Sequence, residues 1–142
     1  MPKPKPRRLV IDTNLWISFL ITQKWHVLDD WLIAGRVVVL FSKELIDEIN
    51  TTVKKPGLKK YFRADAVTEM LSVFEPYSEL VEVHSSVTLC RDPNDDFLLA
   101  LSRDGQADYL LTGDKALLEI GQFGKTRITT IAAFMTIFEL SL

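Results

Sequence analysis

Short, almost continuously apolar runs, each followed by a helix-like stretch, constrain this chain more than any other feature. Arg8-Leu9-Val10-Ile11, Val37-Val38-Val39-Leu40 and Tyr109-Leu110-Leu111-Thr112 read as buried strands. Leu80-Val81-Glu82-Val83 is a weaker, alternating strand, and Ile128 to Ile131 adds a strand at an edge. A strand wet on one face alternates apolar and polar residues, and the first three runs do not, so both their faces are covered. Between the strands apolar residues recur at helical spacing. Leu15 to Leu20 start one helix, and Trp25, Leu28, Trp31 and Leu32 mark another that ends near Gly35. Leu45, Ile46, Ile49 and Val53 line the helix capped by Ser42, which Lys54-Lys55-Pro56-Gly57 breaks. A further helix spans 64–74, with Ala66, Val67, Met70, Leu71 and Phe74 on one side. Asp92-Pro93 opens a leucine-rich helix ending near Gly105, and the chain finishes in a short apolar helix. Strand alternating with helix, with the strands covered, predicts an α/β fold on a parallel sheet.

The chain has 142 residues, the size of one domain. Residues 1–7, spaced by prolines, are expected to form a flexible basic tail, and residues 8–142 a single domain. Hydrophobic residues make up 47% and charged residues 25%, so the chain has the material for a globular core. A formal net charge of −2 argues against a module that binds nucleic acid by overall charge alone. The single cysteine, Cys90, has no intrachain partner and no metal-ligand spacing around it, which fits a buried thiol in a reducing compartment. No apolar run approaches the roughly 20 residues of a membrane span, and Asp12-Thr13-Asn14 interrupts the only apolar stretch after the basic start. The expectation is a cytoplasmic protein.

The chemistry is carried by acids. In open parallel sheets ligands bind beyond the carboxyl ends of the strands. Two strands run directly into Asp12 and Asp114, which topology delivers to one edge. Asp92-Pro93-Asn94-Asp95-Asp96 stands at a helix start, and Glu44, Asp47 and Glu48 lie on the helix after the second strand. At about 100° per residue, Glu48 falls at the margin of the Leu45/Ile49 face and can reach a cleft, with Glu44 as the fallback. Each acid also has a bland explanation: Asp12, Asp92 and Asp114 suit helix caps, Asp95 suits a first helical turn, and Glu48 a solvated face. Capping alone does not require four acidic elements to meet at one sheet edge. Carboxylates so gathered repel one another unless a divalent cation lies between them, and oxygen ligands suit Mg²⁺ or Mn²⁺, as one or two ions.

Val10-Ile11-Asp12-Thr13-Asn14, Ser42 to Ile49, Arg91 to Asp96 and Leu111-Thr112-Gly113-Asp114-Lys115 together resemble the PIN-domain family, in the family's order and over nearly the whole chain from residue 8. The branch most similar is that of toxins in bacterial and archaeal toxin–antitoxin pairs, whose segment after the glutamate residues 52–61 also resemble. The resemblance implies a three-layer α/β/α sandwich, here around the four to five strands read above, and a divalent-metal site that cleaves RNA. By position, Asp12, Glu48, Asp95 and Asp114 correspond to the family's acids. Asp96 is an adjacent second candidate, because the register of the Asp-Asp pair is open by one. Asn14 and Thr112 would give polar support. Ala116 stands where the family often has a further aspartate, so a metal scheme that needs that acid does not transfer.

The mechanism expected is metal held by Asp12, Asp95 and Asp114, with Glu48 completing the shell directly or through water, and hydroxide attacking phosphorus in line. His26 and His84 belong to no nucleophile–base arrangement. Lys54, Lys55, Lys59, Lys60 and Arg63 form the densest basic stretch and are the candidates for RNA phosphate contact, against the plainer reading of a solvated surface. The expected partners are an RNA substrate, a cognate antitoxin and a second copy in a homodimer or higher oligomer. The apolar C-terminal residues Phe134, Met135, Ile137, Phe138 and Leu140 suit core better than interface. The competing readings are a catalytically inactive PIN-like binding or scaffold module, and a receiver-like or nucleotide-binding domain. The second lacks any Gly-rich phosphate loop after its first strand.

Overall fold

The computed structural model describes residues 5–22 and 28–140. The expectations for Trp25, His26 and the first four residues of the tail lie outside these, as does the Leu140 side chain. The strands are β1 (Arg7–Ile11), β2 (Val37–Phe41), β3 (Ser78–Leu80), β4 (Tyr109–Leu111), β5 (Gln122–Phe123) and β6 (Thr126–Thr129). The helices are α1 (Thr13–Thr22), α2 (Asp29–Ile33), α3 (Lys43–Val53), α4 (Ala66–Phe74), α5 (Pro93–Asp104), α6 (Lys115–Ile120) and α7 (Ile131–Leu140).

The sheet order is β3-β2-β1-β4-β6-β5, parallel except for the antiparallel β5–β6 pair. The apolar runs explain the centre: Leu9, Val10, Ile11, Val39, Leu40, Leu110 and Leu111 are all fully buried. Register puts Leu9 beside both Val39 and Tyr109, so β1, β2 and β4 present matching faces. On one face Trp16 of α1 stacks on Phe41 at 5.0 Å and meets Phe74 of α4 edge-on. On the same face Tyr109 packs against Phe134 of α7, which Trp31 of α2 also touches. On the other face α5 closes so tightly that a Cβ on Gly105 would stand 2.7 Å from a Leu40 methyl. Helices therefore cover both faces, as the strand composition requires. The two buried aromatics of α7, Phe134 and Phe138, stack on each other in the core, while Met135 and Ile137 are half-buried.

Three expectations need correction. The third strand is Ser78–Leu80, not 80–83. Its partner β2 stops at Phe41, and the Val81 amide makes one last bond to the Phe41 carbonyl (2.7 Å), after which no ladder remains. The strand expected at an edge, 128–131, is β6 (Thr126–Thr129), and it lies inside the sheet because β5 pairs along it. Gly124, at φ +59°, takes the first position of that two-residue hairpin, where a positive φ is needed. Finally, Arg7 already pairs with Val37, so the domain starts one residue earlier than the tail boundary drawn from sequence.

Candidate active site

Asp12 is locked at the carboxyl edge of the sheet. Its amide donates to the Leu111 carbonyl (3.0 Å), which ties the end of β1 to β4. Its own carbonyl accepts from the amides of Leu15 and Trp16, starting α1, and Oδ1 accepts from the Asn14 amide (3.1 Å). The capping role is thus real, and it leaves Oδ2 turned to the buried Thr112 hydroxyl, which donates to it at 2.5 Å. Burial pushes the Asp12 carboxyl above its ordinary pKa, against the lowering effect of the Thr112 and Asn14 bonds, and the charges of Asp114 and Asp92 raise it further.

Thr112 connects two acids. Its Oγ1 also accepts from the Asp114 amide (3.0 Å), and Asp114 in turn caps α6 by accepting from the Ala116 amide (2.8 Å). Asp92 caps α5 through the Asn94 amide (2.9 Å), with Pro93 as the first helical residue. That cap delivers Asp95, 8% exposed, into the first turn, where its carboxyl hydrogen-bonds to Asp114. Burial, the shared proton with Asp114 and the nearby charges of Asp114, Asp92 and Asp12 push Asp95 up to about 7. Two carboxylates this close do not both ionise without a counter-charge.

Asp96 looks elsewhere. Its Oδ1 accepts from the amides of Leu89 (3.0 Å) and Cys90 (2.8 Å), and the Cys90 amide foremost holds its pKa below the ordinary value. Burial and the Asp96 carboxylate push the Cys90 thiol up to about 11, so it is an inert half-buried group. Glu48 is half-buried on α3, and Glu44 and Asp47 are exposed. Glu48 approaches the cluster through Asn94, whose Nδ2 donates to its Oε1 at 3.2 Å; the Thr52 hydroxyl lies 3.4 Å from the same oxygen. Asn94 was not among the residues marked from sequence. Asn14 contributes its backbone amide rather than a described side-chain bond.

The structure therefore gathers Asp12, Asp95 and Asp114 directly or through Thr112, and Glu48 through Asn94. Among the described residues no three acidic, imidazole or thiol side chains stand at metal-binding spacing. The reason is visible in the bonds: protons and local donors occupy the oxygens. The donor set is all oxygen, buried and mutually repulsive, and it fits a hard divalent cation that displaces the shared proton. Lys54, Lys55, Lys59, Lys60 and Arg63 are all exposed, beyond the far end of α3. Arg63 is committed to Glu69 by two bonds (2.9 and 2.8 Å), which removes it as a free cation.

A family model described as the PIN domain matches residues 8–116. The chain belongs to the PIN-domain family. A solved structure with the same PIN architecture is Mycobacterium tuberculosis VapC20, described as a sarcin–ricin loop cleaving toxin. It shares 14% identity at a TM-score of 0.56, over 84% of this chain and 98% of that one. No curated protein matches the sequence. The PIN match takes in Asp12, Glu48, Asp95 and Asp114 together with the elements that position them.

Proposed function

We propose that this PIN domain is a divalent-metal-dependent ribonuclease that acts as the toxin of a toxin–antitoxin pair. The observation that carries the proposal is the Asp95–Asp114 carboxyl pair, tied through Thr112 to the buried Asp12. Four acids placed by β1, β4, α3 and α5 at one sheet edge are costly to a fold and useful to a cation. A module without chemistry gains nothing from that repulsion. The likeness to VapC20 supports RNA as the substrate class and a toxin role, with an antitoxin as the natural partner.

In this reading Asp12, Asp95 and Asp114 hold Mg²⁺ or Mn²⁺, and Glu48 completes the shell directly or through water. The bound ion polarises the phosphodiester and lowers the pKa of water. The chain's own residues do the rest. Thr112 fixes the Asp12 carboxylate, and the Asp114 amide fixes Thr112. Asn94 aims Glu48 at the first turn of α5. Asp95 is the ligand of the Asp-Asp pair, since Asp96 is spent on the 89–90 backbone. Exposed Lys54, Lys55, Lys59 and Lys60 hold RNA phosphates remote from the cut. The protein works in the cytoplasm; no described helix is long and apolar enough to cross a membrane. It pairs with a second copy of itself as well as with an antitoxin.

The test is cleavage of a labelled RNA with Mg²⁺ or Mn²⁺, with chelator, and with Asp12→Asn. Cutting that needs the ion and is lost in the variant is expected; chelator-resistant cutting by Asp12→Asn would exclude the proposal.

A further inference from the structure

A groove runs between α3 and α5 beside the acids. Leu45, Leu98 and Leu101 make its buried floor, and Thr13 and Ser42 close its end at the sheet. Glu44 and Glu48 form the α3 rim, and on the α5 rim, three residues past Asn94, stands Phe97, 50% exposed. Most aromatic side chains of this protein are core, and Phe97 keeps half its surface in water one helical turn from Asn94 and two residues from Asp95.

We infer that Phe97 is a substrate-binding residue that stacks a nucleobase next to the scissile phosphate. The inference rests on the ribonuclease reading and extends it to how the strand is oriented. The charges argue for a base in this groove. Glu44 and Glu48 repel phosphate from it, so the part of a nucleotide that enters is the neutral planar part. Phe97 offers a π-face and the leucines an apolar floor, which suit a base of any identity. The phosphate next to that base then lies toward Asp95, on the side where a cation draws it. Phe97 therefore separates the two ends of a nucleotide: base on the groove, phosphate on the acids. It acts on binding and not on bond breaking.

The experiment is equilibrium binding of a fluorescein-labelled single-stranded RNA to the Asp12→Asn protein, alone and combined with Phe97→Ala, Phe97→Leu or Phe97→Trp. Loss of a base–aromatic stack weakens binding by roughly five- to a hundredfold. Ala and Leu are expected to weaken binding within that range and Trp to restore it. One abasic nucleotide placed at the stacked position should weaken binding to Phe97 and Trp proteins while leaving the Ala protein indifferent. Phe97 is exposed, so these changes leave the core intact, and circular dichroism checks that they do. Equal affinity for all four proteins, or Leu as good as Trp, would overturn the stacking role and leave the ribonuclease reading standing. Unchanged affinity together with loss of a dimer in sedimentation would overturn it too, with a second copy as the partner of Phe97. Absence of RNA binding by every protein would sink the ribonuclease reading itself.

Discussion

Asp95 and Asp114 hydrogen-bond to each other through their carboxyl groups, across the gap between the first turn of α5 and the cap of α6. The pair is held from both sides: Asp92 starts the helix that carries Asp95, and Thr112 accepts from the Asp114 amide. A proton shared there does the work that a cation does better, and several measurable consequences follow from that exchange.

Stability of the metal-free protein should fall as pH rises. Asp95 is raised from an ordinary 3.8 to about 7 in the folded chain, so the folded state binds the extra proton. Its contribution is complete below about pH 4 and is lost as pH climbs through 7. Thermal melting from pH 4.5 to 8 should show this decline, and Asp95→Asn, which cannot ionise, should flatten it. Mg²⁺ or Mn²⁺ should raise the melting temperature at pH 8 and do so less at pH 5.5, where protons compete for the same oxygens.

Thr112→Val removes the one hydroxyl that serves both Asp12 and Asp114. A buried acceptor left without its donor costs roughly 1–3 kcal/mol, and loss of an outer support costs about 10–100-fold in metal affinity or activity. Urea unfolding and single-turnover cleavage measure the two separately. Unchanged cleavage would remove Thr112 from the site.

Asp95 and Asp96 should separate cleanly. Asp95→Asn is expected to abolish cleavage. Asp96→Ala releases the Leu89 and Cys90 amides, so it should speed hydrogen exchange at those two positions and leave the cleavage rate within a few-fold. The reverse result would move the ligand by one residue.

The C-terminal helix tests core against interface. Phe134 is fully buried against Tyr109, Trp31 and Phe138, so Phe134→Ala should cost about 3–5 kcal/mol in denaturant unfolding. Met135→Ala, on a half-buried side chain, should cost less than half of that. A dimer lost in the Met135 variant alone would place α7 at a subunit interface.

The centre of this fold was legible because it is built from residues that leave little choice. Val37 to Leu40 and Leu9 to Ile11 have no polar side to turn outward, and Ser42 and Asp92-Pro93 announce their helices. The edges were not legible, for the opposite reason. Ser78-Glu79-Leu80 is half-exposed and carries no apolar pattern, while Val81 and Val83 show an alternation that finds no strand to pair with. β5 is two residues long and exists only because Gly124 turns it back on β6. At the site, Asp12 and Asp114 could be placed because strands end at them. The Glu48–Asn94 bond spans 46 residues and depends on α3 packing against α5, which no local pattern encodes. The Asp95/Asp96 ambiguity likewise turned on where the 89–90 backbone lies.

Crystals soaked in Mn²⁺ and measured at the manganese edge put the central claim to its most direct test. The expected result is an anomalous peak bounded by the carboxylates of Asp12, Asp95 and Asp114, absent in crystals of Asp114→Asn. Fully soaked crystals that show manganese elsewhere, with the Asp95–Asp114 hydrogen bond still in place, would contradict it.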